Sequence, residues 1–204
     1  ASIAIELNRP QPDWDGVLRV IDLGLNVAED DPRMYEAIGI VIGRNQEAEF
    51  AHLRTVLEEA LASGRAPATC HLLLGSVLGA SGEIEQGIRH LRLAMQEYPE
   101  HPLVANNLAM LLLRKSAPQP EEALALADRA VAAAPHLADI RDTRGQALFA
   151  LGRFDEALPE LEKAITIEQD QALRHTMLAE IYERRSDARM AERHRHRAEE
   201  LSAE

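Results

Sequence analysis

The stretch HLLLGSVLGASGEIEQGIRHLRLAMQEYP, His71 to Pro99, decides the fold. Two segments rich in leucine, alanine and isoleucine flank a polar centre, ASGEIEQG at 80–87, which has the glycines and charges of a turn. Pro99 follows the second segment, where a proline ends a helix. The stretch therefore predicts two helices that are joined by a short turn, called here the first and the second helix of a pair.

Small residues, with Leu53 as the exception, repeat this pattern along the chain. In the predicted first helices they are spaced 36, 34, 36 and 34 residues apart, and in two series on the second helices 34, 36, 34 and 34 apart. The three series are Gly39, Gly75, Ala109, Gly145, Ala179; Leu53, Gly87, Ala123, Ala157, Ala191; and Ala60, Ala94, Ala130, Ala164, Ala198. One shared period in three series predicts a tandem array of helix pairs.

Larger apolar residues keep the same register as the small ones. They follow the first series by three positions and the second by four, offsets that lie on one face of a helix. These residues are Ile42, Leu78, Leu112, Leu148, Tyr182, and Leu57, Leu91, Ala127, Leu161. We expect the small residues to let two backbones approach closely and the large ones to fill the remaining space.

The composition favours an all-α protein with a protein partner. Of the 204 residues 46% are hydrophobic and only 3% aromatic, which suits helices better than sheets. The net charge of −12 would repel a phosphate backbone, so nucleic acid is a poor partner. No apolar run is long enough to span a membrane, and we expect no membrane insertion of this segment. The localisation stays open between cytoplasm and periplasm.

At these residues the chain resembles the tetratricopeptide-repeat family, a helix-turn-helix unit of 34 residues. HLLLGSVL, GIRHL and Pro99 match the family pattern in one unit, and RDTRGQAL and ALPEL match it in another. The resemblance implies an α-solenoid, a right-handed superhelix of antiparallel helix pairs. Its expected parts are an extended segment at 1–12, an extra helix or half repeat at 13–31, and units at 32–67, 68–101, 102–137, 138–171 and 172–204. The helix at 13–31 is either the end of a longer array or an N-terminal cap.

The resemblance also implies a concave groove that is lined by the first helices. Residues one turn either side of the packing positions are expected to face a partner there. They are Glu36, Ile40, Leu72, Ser76, Asn106, Asn107, Met110, Asp139, Asp142, Gln146, Thr176, Met177 and Glu180. A side-chain amide such as that of Asn107 can both donate to and accept from a peptide backbone.

The expected groove is acidic or rich in amides, without the lysines and arginine by which some family members hold a terminal carboxylate. Asp139 and Asp142 stand where a carboxylate ligand would be repelled. A basic or neutral partner, either an extended segment or a helix, is therefore expected.

Catalytic and metal sites are not indicated. His194 and His196 are two residues apart and point to different sides of a helix, so we expect a solvated cationic strip there. The acid pair Asp139 and Asp142 lacks an aligned base. The single cysteine, Cys70, cannot form an intrachain disulfide, and no CxxC motif or Cys/His cluster suggests a zinc site. The sequence predicts neither an enzyme nor a cofactor. His71 is expected to be a packing residue.

Three functions agree with these patterns. The first is a non-catalytic scaffold that binds a partner peptide or helix in its groove. The second is an accessory repeat domain of a larger enzyme, or of a secretion or envelope-biogenesis assembly, which a chain that starts at Ala1 allows. The third is a homo-oligomer that assembles through its terminal repeats.

Overall fold

The computed structural model describes residues 47–64, 67–167 and 171–203, and every element of regular structure within them is an α-helix. The all-α prediction is therefore confirmed for this part of the chain. The expected segments at 1–12 and 13–31, together with Glu36 and Ile40, lie outside it. The helices are α1 Glu47–Ala62, α2 Pro67–Ala80, α3 Ile84–Glu97, α4 Pro102–Arg114, α5 Pro120–Ala133, α6 Ala138–Ala150, α7 Phe154–Ile167, α8 Ala172–Arg184 and α9 Ala188–Ala203.

The turns within three of the helix pairs share one backbone geometry. Gly82, Gly152 and Ser186 follow α2, α6 and α8, with φ angles of 87°, 71° and 60°. A left-handed residue at this place lets the next amide bond back to the closing helix turn. In the α2–α3 turn the Glu83 amide donates to the Leu78 carbonyl over 2.8 Å, and the other two turns repeat this bond over 2.9 Å. The turn thus reverses the chain in the same way each time.

The chain forms two compact units, residues 1–107 and 108–204. In the first unit α2 packs against α3 and against α1. In the second unit α6 packs against α7 and α8 against α9, while α5 contacts α6 and α7 contacts α8. Each helix of the second unit therefore packs mainly on its neighbours in the chain, as expected for a stack of helix pairs.

Close packing in both units depends on glycines that face leucines. A Cβ added to Gly75 would lie 2.5 Å from Leu91 Cγ, and one added to Gly145 would lie 2.7 Å from Leu161 Cδ2. Both distances are shorter than van der Waals contact, so only glycine fits there. These contacts join a first helix to its own second helix, as the register of small and large residues predicts.

In the described ranges no helix is both long and apolar enough to cross a membrane.

Candidate partner-binding surface

The residues predicted to face a partner that lie in the described ranges belong to α2, α4, α6 and α8, the first helices. In the first unit the structure brings two of them together. The Asn107 Nδ2 group donates to Ser76 Oγ over 2.8 Å, and this hydroxyl donates to the Leu72 carbonyl over 2.9 Å. The half-buried Asn107 amide is thereby fixed against α2.

Several of these residues are buried, where the sequence predicts an open surface. Leu72 is 0% exposed, and the prediction that it meets a partner is wrong, because its side chain belongs to the core. The position three residues before the packing glycine or alanine is covered at Leu72, Asn106 and Asp142 but exposed at Thr176, so burial there differs from one repeat to the next. Buried in the same way, with 5–6% exposure, are Ser76, Asn106, Asp142 and Met177.

Asn106 is buried in an unusual way. Its side chain is 5% exposed, and its Oδ1 atom accepts no hydrogen bond from any group in the described part of the chain. A buried polar atom without a partner costs about 1–3 kcal/mol. The Asn106 side chain therefore stores an unused hydrogen-bond acceptor beside the Asn107 amide.

In the second unit Asp142 forms a buried ion pair. Arg174 Nε on α8 donates to Asp142 Oδ1 on α6 over 2.8 Å, and Gln146 Nε2 donates to Asp142 Oδ2 over 2.8 Å. The side chains of Arg174 and Asp142 are 0% and 8% exposed. The predicted acidic pair is thus split, because the Asp142 charge is neutralised inside the protein.

Arg174 is a residue that the sequence reasoning missed. It lies five residues before Ala179, and the matching positions of the other repeats hold Cys70, Val104 and Ile140. All four side chains are at most 2% exposed. An arginine in a register position that is otherwise apolar was the available signal, and it indicates a buried acid nearby.

Asp139 is the acidic residue that remains open on this surface. Its side chain is exposed on one side and forms no ion pair with any described residue. Desolvation by the surrounding protein raises the pKa of the Asp139 carboxyl, and the negative charge of Asp142 raises it further, against an opposing effect of Arg174. Arg174 thus compensates the Asp139 charge only in part, and the pKa of this carboxyl stays raised.

The other predicted residues of the second unit differ in their exposure. Met110 and Gln146 are half-buried and Thr176 is exposed. Glu180 is half-buried and pairs with Arg184 over 2.8 Å on its own helix. We call the exposed part of α6 and α8 that carries Asp139, Gln146 and Thr176 the first-helix surface.

A pair of polar side chains joins the first and second helices of three pairs. His71 and His90 place their Nδ1 atoms 2.9 Å apart, and His175 and His194 place theirs 2.7 Å apart. In the pair α6–α7, Arg141 and Glu160 occupy the same register positions and form an ion pair of 2.9 Å. His71 is a packing residue, as predicted, and its contact with a second histidine was not foreseen. We call these three contacts the interhelix couples.

Metal ligands do not cluster in the described part of the chain: no group of three histidine, cysteine, aspartate or glutamate side chains could hold an ion there. Cys70 is buried.

Comparisons with known proteins support the fold. The structure is similar to that of MamA from Desulfovibrio magneticus RS-1, with a TM-score of 0.64 and 18% identity over 94% of this chain and 96% of that one. It is also similar to MamA of strain AMB-1, with a TM-score of 0.62 and 23% identity over 79% of this chain and 95% of that one. These likenesses show the fold, a helical solenoid, as predicted.

Residues 116–181 match the family model described as tetratricopeptide repeat. Two proteins of Arabidopsis thaliana, TPR repeat-containing thioredoxin TTL4 and inactive TPR repeat-containing thioredoxin TTL3, are each 41% identical over 73 residues. The match covers 36% of this chain and 11% of each relative, so the chain spans only a small part of their length. The predicted resemblance to the tetratricopeptide-repeat family is therefore confirmed, and residues 116–181 carry the repeat that the family model describes.

Proposed function

We propose that the chain is a non-catalytic scaffold whose first helices hold a partner peptide or helix of basic or neutral character. Tetratricopeptide repeats form protein-interaction scaffolds in general. The finer proposal concerns which side chains contact the partner. It rests on the carboxylate of Asp139 and on the amide oxygens of Asn106 and Asn107.

The observation that carries the proposal is the state of Asp139. This carboxylate is partly desolvated and close to a second acid, yet it has no ion-pair partner in the part of the chain that the structure describes. A lysine or arginine brought by a partner would replace the lost hydration and relieve the repulsion. Asp139 is therefore the anchor for a basic side chain.

Asp142 has a different role from the one that its sequence position suggests. Because Arg174 and Gln146 already occupy both of its oxygens, Asp142 does not attract a partner directly. Its charge acts on Asp139 instead, by raising the pKa of the neighbouring carboxyl. A basic side chain of the partner therefore gains from Asp139 alone and not from an acidic pair.

The two asparagines of α4 supply a second, separate contact in the first unit. Asn107 uses one amide hydrogen for Ser76, which leaves its Oδ1 atom for a peptide N–H group. The Oδ1 atom of Asn106, next to it in the sequence, is buried and accepts no hydrogen bond within the described part of the chain, so it is a second acceptor that a partner could reach if binding uncovers it. Both contacts are to backbone groups and do not depend on the partner's sequence.

The proposal is tested with labelled peptides of equal length whose charge is basic, neutral or acidic. Fluorescence anisotropy with the full chain should give the tightest binding for basic peptides, a weaker one for neutral peptides and none for acidic ones. Asp139→Lys reverses a charge on the first-helix surface and should weaken binding of the basic peptides by about tenfold or more. Partners from native cells are then identified by pull-down with mass spectrometry.

The matched control is Glu97→Lys, which makes the same charge change at an exposed site in the last turn of the second helix α3. Binding that falls equally in both variants would show a general charge effect and would remove Asp139 from the site. Acidic peptides that bind best would overturn the proposed partner class.

A place within a larger protein is a second candidate. The matched relatives carry their repeats beside another region, since both are named as repeat-containing thioredoxins. We propose that this chain can serve in the same way as the partner-binding part of a longer polypeptide. The length of the parent open reading frame tests this, and a frame that encodes only these 204 residues would exclude it.

A further inference from the structure

A cleft of about 680 Å³ lies on the side of the second unit that is formed by the second helices. One face of α9 forms most of its wall, Ile165 of α7 contributes an apolar patch, and the buried His175 of α8 lies at its base. This site is separate from the first-helix surface, where the proposed partner binds. Its volume is in the range of about 300–1,000 Å³ that is usual for sites of small ligands.

Two arginines of this cleft are available to a ligand. Arg189 and Arg193 are exposed, and neither forms a salt bridge with any residue that the structure describes. They are four residues apart on one helix, so their side chains stand side by side, about 5–6 Å apart at Cβ. Two adjacent guanidinium groups can hold an anion through paired N–H donors.

The acidic residues of the cleft oppose this pair only in part. Glu200 accepts from Arg197 over 3.0 Å and lies 3.2 Å from His196 Nδ1, so its charge is already engaged. Among the described residues that line the cleft, Glu192 is the other acid. Arg189 and Arg193 together therefore leave an excess of positive charge in a chain whose net charge is −12.

The histidines at the base give the cleft a fixed floor. His175 and His194 are joined through their Nδ1 atoms over 2.7 Å, and the His194 ring stacks on Tyr182 with 5.5 Å between ring centroids. Each of these three side chains is held by another, so the floor of the cleft is ordered.

We propose that this cleft binds a small ligand that carries phosphate groups, with Arg189 and Arg193 as its direct contacts. The planar fork of arginine fits phosphate oxygens in pairs, which favours phosphate over a halide or a single carboxylate. The charge of −12 argues against nucleic acid and anionic membranes, since long-range repulsion grows with the size of a polyanion. A compact ligand avoids most of that repulsion.

The proposal is tested by isothermal titration calorimetry of the full chain with pyrophosphate at constant ionic strength. Arg189→Gln combined with Arg193→Gln should weaken binding by about tenfold or more. The control is Arg89→Gln combined with Arg114→Gln, which removes the same charge from exposed sites outside the cleft and should change the affinity less than about twofold. Circular dichroism of both variants checks that the helices remain folded.

Two further arms decide what the cleft binds. Sedimentation with vesicles that contain an anionic phospholipid should leave the protein in the supernatant. Binding to vesicles without binding to pyrophosphate would overturn the proposal, as would an equal loss of pyrophosphate affinity in the cleft variant and its control. Absence of pyrophosphate binding by the unaltered chain also overturns it, because this probe contains the chemistry that is proposed for the ligand.

Discussion

Arg174 and Asp142 connect the first helices of two successive pairs through a buried contact of 2.8 Å between Nε and Oδ1. The matching positions of the other repeats hold Cys70, Val104 and Ile140. Taking a guanidinium and a carboxylate out of water costs several kcal/mol for each group, and their attraction returns this only when both are present. The two residues should therefore behave as one unit in mutation experiments.

Asp142→Ala alone should lower the free energy of unfolding by about 3–5 kcal/mol, because it removes the carboxylate that pairs with the buried Arg174 charge. Arg174→Ile combined with Asp142→Leu should unfold at a urea concentration close to that of the unaltered chain, since the matching positions of other units are apolar. Urea titration followed by circular dichroism measures both. If the single and double variants are equally unstable, the contact contributes little.

Gly145→Ala should destabilise the second unit. Alanine normally stabilises the middle of a helix by about 0.5–1 kcal/mol over glycine, but overpacking a core costs about 1–3 kcal/mol. The second effect should dominate, because the new Cβ would lie 2.7 Å from Leu161 Cδ2. Leu161→Ala in the same chain removes the clash, so the two changes together should cost less than their sum. Additive costs would place the clash elsewhere.

Acid should weaken the first unit through His71 and His90. Burial lowers the pKa of both imidazoles, and the positive charge of His71 lowers the pKa of His90 further. The groups around His90 include Arg54, Arg89 and Glu58. Because the unfolded chain takes up protons near the ordinary histidine pKa of about 6.5 and the folded chain only below it, the free energy of unfolding falls as the pH drops through that range.

Urea midpoints at about pH 7.5 and pH 5 measure this effect. His71→Leu combined with His90→Leu should reduce the difference between the two midpoints. His136→Gln changes an exposed histidine and should leave the difference unaltered. An equal response of both variants would show that the pair is not the source.

Asp139→Asn should not destabilise the protein at neutral pH. The folded-state pKa of Asp139 is raised above its usual 3.8, so the folded chain retains this proton longer than the unfolded chain as the pH rises. The free energy of unfolding therefore falls as the pH rises from the usual pKa through the raised pKa of the folded chain. Asparagine carries no charge and avoids this fall. The same variant should bind basic peptides more weakly. A marked loss of stability at pH 7 in urea titration, absent from Glu97→Gln, would contradict this.

Asn106→Leu should stabilise the first unit by about 1 kcal/mol or more, because it removes a buried acceptor that has no partner in the described part of the chain. Leucine occupies the matching position of the preceding repeat, where the Leu72 side chain is buried. Asn107→Leu breaks the bond to Ser76 and should give no such gain. Thermal unfolding of both variants checks the difference, and equal shifts would contradict it.

The repeat register was predictable from the sequence because packing between helices depends on side-chain size. Gly145 must be small where Leu161 approaches, and such constraints recur with the period of the fold. The general position of the first helices follows from the same register. Residues such as Ser76 and Asn107 could therefore be placed close together before the structure was known.

The depth and charge state of the site were less predictable. Asp142 reads as an exposed acid until Arg174, 32 residues later, is known to reach it. The histidine contacts likewise join residues 19 positions apart, and their sequence spacing follows no helical period. Contacts of this kind depend on which side chains meet across two helices, and a single sequence does not name the partner, although Arg174 in an otherwise apolar register position indicates that a buried acid is near.

The interhelix couples also bear on how the helices find their own partners during folding. Tandem repeats have similar apolar faces, so a first helix could dock on the second helix of another pair. Arg141 would then face a histidine in place of Glu160, and Glu160 would lie in a buried position without its cation. Two histidines would also meet if His71 faced His194 or His175 faced His90, so the histidines do not separate these two pairs from each other. The couples thus discriminate against exchange between the α6–α7 pair and its neighbours, a safeguard against domain-swapped chains.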